Sequence, residues 1–217
     1  AIEEMSLATR KIGLGVMGFA DLLIKLRVPY DSDEALFIIE KIMGLVRDES
    51  RKASMQLAVK RGVFKNFKRT IWKDQNLRLR NVSLTTVAPT GSISMFFDCA
   101  SGVEPFFALA YKKENIMGGD SLLYTNPYFE AALKARGLYS EELVSDVTAR
   151  GTIQHRAELP EDMRRVFVTA MDIGAEDHIR MQAAFQKHTD NSISKTINFS
   201  NSATREEVRA GYMLAWE

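Results

Sequence analysis

Three hydroxyls fall within VAPTGSIS (87–94): Thr90, Ser92 and Ser94, with Gly91 between the first two. Hydroxyls and consecutive backbone N–H groups can converge on phosphate oxygens without a bound cation, and a glycine lets the backbone come close. No Lys-Ser/Thr pair follows, so this is not a Walker-type loop. The same residues would also make an ordinary Ser/Thr-rich turn, and their types leave both readings open. Next comes DCASGVEP (98–105), where Cys99 and Glu104 have the chemistry of a nucleophile and a base. No histidine is near them in sequence, and a buried structural cysteine is commoner than a reactive one. HTDNSISKTIN (188–198) gathers Asp190, Asn191, Ser192, Lys195 and Asn198. Such a cluster at a helix–strand junction suits a ligand in an α/β fold, or simply caps the helix and satisfies the loop backbone. GLGVMG (13–18) is a literal G-x-G-x-x-G with Asp31 and Asp33 downstream. That motif carries a dinucleotide meaning only directly after a strand. The residues before it, SLATRKI, are mostly polar, so the spacing favours a helix whose glycines allow close packing. The histidines, His155, His178 and His188, show no H-x-x-x-H spacing and there is no C-x-x-C, which argues against a structural zinc.

The elements that must position these groups follow from periodicity and punctuation. Ile12 to Leu26 is apolar enough for a buried helix ended by Pro29. Ser32 is a suitable N-cap, with Asp33 and Glu34 in the first turn of a second helix that Gly62 stops. Asn81 to Val87 alternates and is β-branched, which predicts a strand closed by Pro89. Phe106 to Tyr111 is a second strand candidate. Helices are expected over 127–136, 140–150, 175–188 and 203–217, a loop over 151–160 and a short strand over Lys195 to Phe199. In the helix over 175–188, Ile179, Ala183 and Phe185 are expected to face inward. The stretch from Lys65 to Arg80 interleaves six bases with Phe67 and Trp72, just after Phe64. It reads as a solvated segment pinned by its aromatics more than as a nucleic-acid contact. Helices between strands predict an α/β class, with 1–217 as a single piece.

Composition narrows the field. The 217 residues are 46% hydrophobic and 26% charged, which excludes disordered and collagen-like chains. A net charge of +1 gives no general case for nucleic acid or a membrane as partner. Asp21 interrupts the longest apolar stretch, so no membrane span is expected. The single cysteine, Cys99, permits no internal disulfide and fits a reducing, cytoplasmic setting.

Four segments together resemble the C-terminal half of the catalytic subunit of ribonucleotide reductase. They are RKIGLGVMGFADLL (10–23), APTGSISMFFDCASGVEP (88–105), MQAAFQKHTDNSISKTINF (181–199) and EEVRAGYMLAWE (206–217). The wording QKHTDNSISKTIN is most similar to the vitamin-B12-dependent, class II branch. The resemblance implies a ten-stranded α/β barrel around a radical-bearing finger loop, of which this helix-rich chain is one part. It implies that GLGVMG is a packing helix, and that Pro89, Thr90, Gly91, Ser92 and Ile93 bind the phosphates of a ribonucleoside di- or triphosphate. It implies adenosylcobalamin as the radical source and reduction of the ribose 2′-hydroxyl. The family's chemistry needs a radical-forming cysteine and a reducing cysteine pair, and Cys99 matches neither. The finger loop is expected before Ala1 and further family sequence after Glu217. The chain therefore reads as an internal piece of a longer or split enzyme, inactive alone, with the remaining portion of the reductase as partner. A non-catalytic phosphate-binding module that kept the fold is the alternative. A nicotinamide-dependent oxidoreductase, resting on 13–18 alone, would drop out if that segment were helical throughout.

Overall fold

The computed structural model describes the backbone of residues 1–116 and 120–217, and side chains outside 113–121. Helices dominate. α1 (Ile2–Thr9) and α2 (Phe19–Leu26) flank an extended stretch, and α3 (Asp33–Arg61) is the longest helix. Its start was legible: the Ser32 hydroxyl accepts from the Ala35 N–H at 3.2 Å, and Asp33 and Glu34 occupy the first turn. Gly62 follows its last residue as expected. Short helices α4 (Ile71–Asp74) and α5 (Ile93–Phe96) come next, then a hairpin of β1 (Ala110–Ile116) and β2 (Asp120–Thr125). The chain closes with α6 (Pro127–Ala135), α7 (Glu141–Arg150), α8 (Glu161–Val166), α9 (Ala175–Gln186) and α10 (Arg205–Trp216). Asn126, Ser140 and Thr204 cap α6, α7 and α10 with their side chains.

The region that positions the loop at 89–93 is a set of three parallel extended segments. Leu14 pairs with Thr85, and Val87 with Ile193. The Leu14 N–H donates to Leu84 O at 2.7 Å and the Thr86 N–H to Leu14 O at 3.0 Å. On the other side the Ser194 N–H donates to Val87 O at 2.9 Å. The expected strand over 81–87 is thus the middle segment, but only its bridges at Thr85 and Val87 are regular.

Several expectations are corrected here. GLGVMG is extended and not a packing helix, because Gly13 and Gly15 serve strand-to-strand approach: a Cβ on Gly15 would overlap the Thr86 carbonyl, and one on Gly13 the Thr86 methyl. The helix begins only at Phe19, after Gly18 takes a φ of 74°. It ends at Arg27, in the left-handed region, before Pro29 is reached. The strand candidate over 106–111 overlaps β1 only at its last two residues. Lys195 to Phe199 forms no strand; the pairing falls two residues earlier, at Ile193. In α9, Ala184 is buried and Ala183 exposed, one step of helical phase from expectation.

Two apolar cores hold these parts. One joins α2, α3 and α9 through Phe19, Ile39, Met43, Val87, Val103 and Phe185. Phe19 meets Phe185 edge-on at 5.2 Å. The other gathers α6, α7 and α8 under β1, with Leu109, Phe129, Leu133, Val147 and Met163. A smaller cluster of Phe64, Phe67, Trp72 and Leu79 pins the basic stretch, leaving Lys65, Lys68, Arg69, Lys73 and Arg78 exposed.

Candidate functional site

The middle extended segment ends at Val87 and delivers the chain into the loop at 88–93. Pro89, Gly91, Ser92 and Ile93 are exposed and Thr90 is half-buried. Thr90 has a φ of 53°, a left-handed conformation that is an outlier for a β-branched residue. Two bonds hold it there. The Gly102 N–H donates to Thr90 Oγ1 at 2.6 Å, and the Ser94 N–H donates to Thr90 O at 2.9 Å. Strained backbone of this kind costs about 1–3 kcal/mol and persists where surrounding structure over-determines it. The N–H groups of Thr90, Gly91, Ser92 and Ile93 meet no acceptor among the described residues. A Cβ on Gly91 would meet nothing within 4 Å. The loop therefore presents four free donors and an unobstructed approach. Ser94 is different: it is buried, and its hydroxyl pairs with Ser101 Oγ at 2.9 Å, so it supports the loop from behind.

Behind the loop lies a cavity of about 670 Å³, walled by Ser94, Cys99, Ser101, Glu104, Phe107 and Tyr124, among others. Burial pushes the Cys99 thiol up, and the charges of Asp21 and Asp98 push the same way. Burial also pushes Tyr124 up to about 12. Both groups thus stay protonated at neutral pH. Asp21, raised by burial, accepts from the Ala100 N–H at 2.7 Å and ties α2 to this wall.

Glu104 is not a base for Cys99. Its Oε2 accepts from Lys195 Nζ at 2.8 Å and its Oε1 from the Thr196 N–H at 2.7 Å. The Lys195 side chain is fully buried and also donates to His178 Nδ1 at 2.8 Å and Thr196 O at 2.5 Å. An ammonium has no lone pair, so His178 Nδ1 must be the acceptor, and its Nε2–H donates to Ala170 O at 3.0 Å. Burial lowers the His178 pKa first, and the Lys195 charge lowers it further, which agrees with a neutral ring. Burial lowers Lys195 too, while the Glu104 carboxylate opposes it. Glu104 and Lys195 are 91 positions apart, so no local pattern reveals this cluster. Glu104 and Lys195 each stood out in the sequence, one as a candidate base and one in a polar cluster, but nothing there paired them.

Asp190 and Asn191 follow the bland reading of this stretch, while Asn198 lies in the lining of a separate cavity against α9 and α10. Asp190 Oδ2 accepts from the Leu84 N–H at 2.9 Å, and the Asn191 side-chain amide donates to Thr85 O at 3.0 Å. These residues lace the extended segments together. The other imidazoles lie elsewhere: His155 is against Asp146 at 2.6 Å, and His188 Nδ1 accepts from Arg47 at 2.9 Å. At 13–18 the segment is not helical throughout, so helicity does not dismiss a dinucleotide loop. Geometry does: Gly13 and Gly15 face Thr86, Gly18 faces Cys99, and none faces open space.

Three parallel extended segments, an exposed polar loop at the end of the middle one and a buried Glu104–Lys195–His178 cluster define the centre of this helix-rich domain. The family model described as "Ribonucleotide reductase, barrel domain" matches residues 1–79 and 75–217, and the chain belongs to that family. It is 46% identical over 214 residues to the vitamin B12-dependent ribonucleoside-diphosphate reductase of Thermoplasma acidophilum, covering 99% of this chain and 28% of that protein. Identity to the Mycobacterium tuberculosis protein of the same name is 41%, covering 99% and 30%. The chain thus spans less than a third of these two curated relatives. Among solved structures, the class Id ribonucleotide reductase alpha subunit of Actinobacillus ureae superposes with a TM-score of 0.84 at 26% identity, over 98% of this chain and 38% of that one.

Proposed function

We propose that this chain is part of a ribonucleotide reductase that reduces ribonucleotides to 2′-deoxyribonucleotides, and that the loop Pro89–Ile93 holds the substrate's phosphates. The observation that carries the loop assignment is the run of four N–H groups without acceptors beside open space at Gly91. Oxyanions accept such donors in shortened, charge-assisted bonds. The Ser92 hydroxyl adds a further donor, and Thr90 fixes the loop's curvature through Gly102. Held by its phosphates, the ribose is oriented at the reacting centre, and this remote binding energy is what positioning draws on. The names of the relatives in Thermoplasma and Mycobacterium favour a diphosphate substrate.

The same names support adenosylcobalamin as the cofactor of the complete enzyme, where it would supply radical generation. Among the described residues none of the three histidines lines the cavity behind the loop, so no residue of this chain is assigned to hold the cofactor. The three parallel segments are proposed as staves of the family's ten-stranded barrel. Met95, Phe96, Phe97 and Phe107 are 68%, 86%, 67% and 76% exposed, large apolar side chains left to solvent. The remaining portion of the reductase is the partner proposed to cover them. Among the described residues no helix is long and apolar enough to cross a membrane.

The test is nucleoside diphosphate binding by the complete enzyme, with Gly91→Val and Ser92→Ala. Gly91 lacks a positive φ and has room for a side chain, so the valine variant should fold normally and place its methyls in the ligand's path. Binding should become undetectable. Ser92→Ala removes one hydrogen bond to a charged group, ~1.5–3 kcal/mol, or roughly ten- to a hundredfold in affinity. Parent-like affinity in both variants would remove the assignment. The 217-residue chain has one thiol, so alone it should turn over no ribonucleotide with cobalamin and dithiothreitol; turnover would refute the part-enzyme reading.

A further inference from the structure

The basic stretch at 65–80 is left unused by the phosphate loop. One wall of a second cavity, of about 730 Å³, is built from it. The charged residues there come from four parts of the chain: Lys11 from the first extended segment, Arg51 from α3, Arg69 before α4, and Asp190 after α9. Three cations and one carboxylate leave a balance of +2 (3 − 1). Asp190 is already committed, one oxygen to the Leu84 N–H and the other to Arg51 at 3.4 Å. Lys11 and Arg69 have no ion pair or side-chain hydrogen bond among the described residues. Two buried polar atoms of lining residues also lack a partner: Arg51 Nε and Ser83 Oγ. Leaving such donors unpaired is costly, and an acceptor is what both N–H and O–H lack. Arg51 lies over the Trp72 ring at 5.2 Å, and Trp72 is itself fixed by donating Nε1–H to Val82 O at 2.7 Å.

We infer that this cavity is a second anion site that binds a phosphate-bearing small molecule, with Lys11 and Arg69 as its primary contacts and Arg51 as its floor. Cations converging from separate elements, one stacked on an aromatic face, match the way guanidinium groups recognise phosphate. The site is separate from the loop at 89–93. Ser83 and Thr90 are seven positions apart along largely extended backbone, roughly 20 Å at ~3.3 Å per residue.

The experiment uses fluorescence. In the 217-residue chain, Trp216→Phe leaves Trp72 as the only tryptophan, and it reports on the cavity. Sodium pyrophosphate should shift Trp72 emission in a saturable way. Arg69→Ala and Lys11→Ala should each weaken the midpoint about tenfold, while Ser92→Ala leaves it unchanged. Both changed residues are exposed, so melting curves should match the parent and fold loss is not a confounder. A nucleoside diphosphate binding more tightly than pyrophosphate would assign a nucleotide ligand, and equal binding would assign the phosphate group alone. The inference is overturned if pyrophosphate leaves Trp72 unchanged, if both alanine variants keep the parent midpoint, or if sodium chloride at matched ionic strength gives the same shift. A midpoint lost in Ser92→Ala would also overturn it, because the signal would then come from the loop.

Discussion

Replacing Lys195 with Met tests whether the buried pair beneath the loop matters energetically. The Lys195 side chain is fully buried and the Glu104 side chain is 25% exposed. Methionine fills much of the same volume, so the change removes chiefly the charge and its three hydrogen-bond contacts, to Glu104, His178 and Thr196 O. What remains is a carboxylate with only the Thr196 N–H, and a buried imidazole nitrogen with no donor. Removing one partner of a buried pair costs about 3–5 kcal/mol, and the partial exposure of Glu104 places this case near 3. For a chain of this size ~1 kcal/mol moves the melting temperature by about 2–4 °C, so the midpoint should fall by roughly 6–12 °C. Glu104→Gln in the same background should restore part of the loss, because the stranded charge goes with it. A double-mutant cycle by circular dichroism therefore expects a coupling of at least ~1 kcal/mol. A loss under ~1 kcal/mol for Lys195→Met, or strict additivity in the cycle, would show that the pair is no more than a contact of convenience.

His178 makes stability depend on pH. Its folded pKa lies below the ordinary 6.5, so the unfolded chain takes up the proton first as pH falls. The contribution is complete above 6.5 and is lost as pH drops through the folded value; melting curves of His178→Gln should show a flatter acid limb than the parent below about pH 6.5. Cys99 should alkylate with iodoacetamide at pH 7.5 more slowly than free cysteine, since its thiol is raised by burial and by Asp21 and Asp98; a faster rate by mass spectrometry would contradict that environment. Thr90→Val keeps the shape but removes the acceptor of the Gly102 N–H, and should cost about 1–3 kcal/mol by denaturant titration. Thr90→Gly loses the same bond yet relieves the left-handed strain, so it should be the milder of the two.

Helix boundaries were legible where the residue at the end acts locally. Ser32 and Ser140 accept from N–H groups three residues on, while Pro127 and Gly62 act through their own backbone preferences, so sequence alone contains what is needed. The failure at 12–26 has the opposite origin. The stretch is apolar with glycines, and apolarity reports burial, not geometry. What makes 13–18 extended is Thr86, some 70 positions away, against which Gly13 and Gly15 lie with no room for side chains. The same long-range pairing places the third segment at Ile193, where periodicity pointed to 195–199. α1 and α8 were not foreseen, being short and lacking a side-chain N-cap bond.

The site divides along the same line. The loop proposed for phosphate stands out in the sequence because its residue types are local: hydroxyls, N–H groups and a glycine in consecutive positions. Its support was not, since Gly102 reaches Thr90 across twelve positions and Lys195 reaches Glu104 across 91. The local residues supply the donors, and the distant ones decide their direction. Thr90 shows the coupling: its left-handed backbone would relax in an isolated peptide, and only the Gly102 and Ser94 contacts hold it. The Gly102 contact depends in turn on the 98–105 segment staying in place, which Asp21 secures at Ala100 and Lys195 at Glu104. A loop with free donors is therefore held by two charged groups, one on α2 and one just past the third extended segment. Loss of either should loosen the loop proposed for phosphate and, because Val103 of the same segment packs in the first core, lower stability as well.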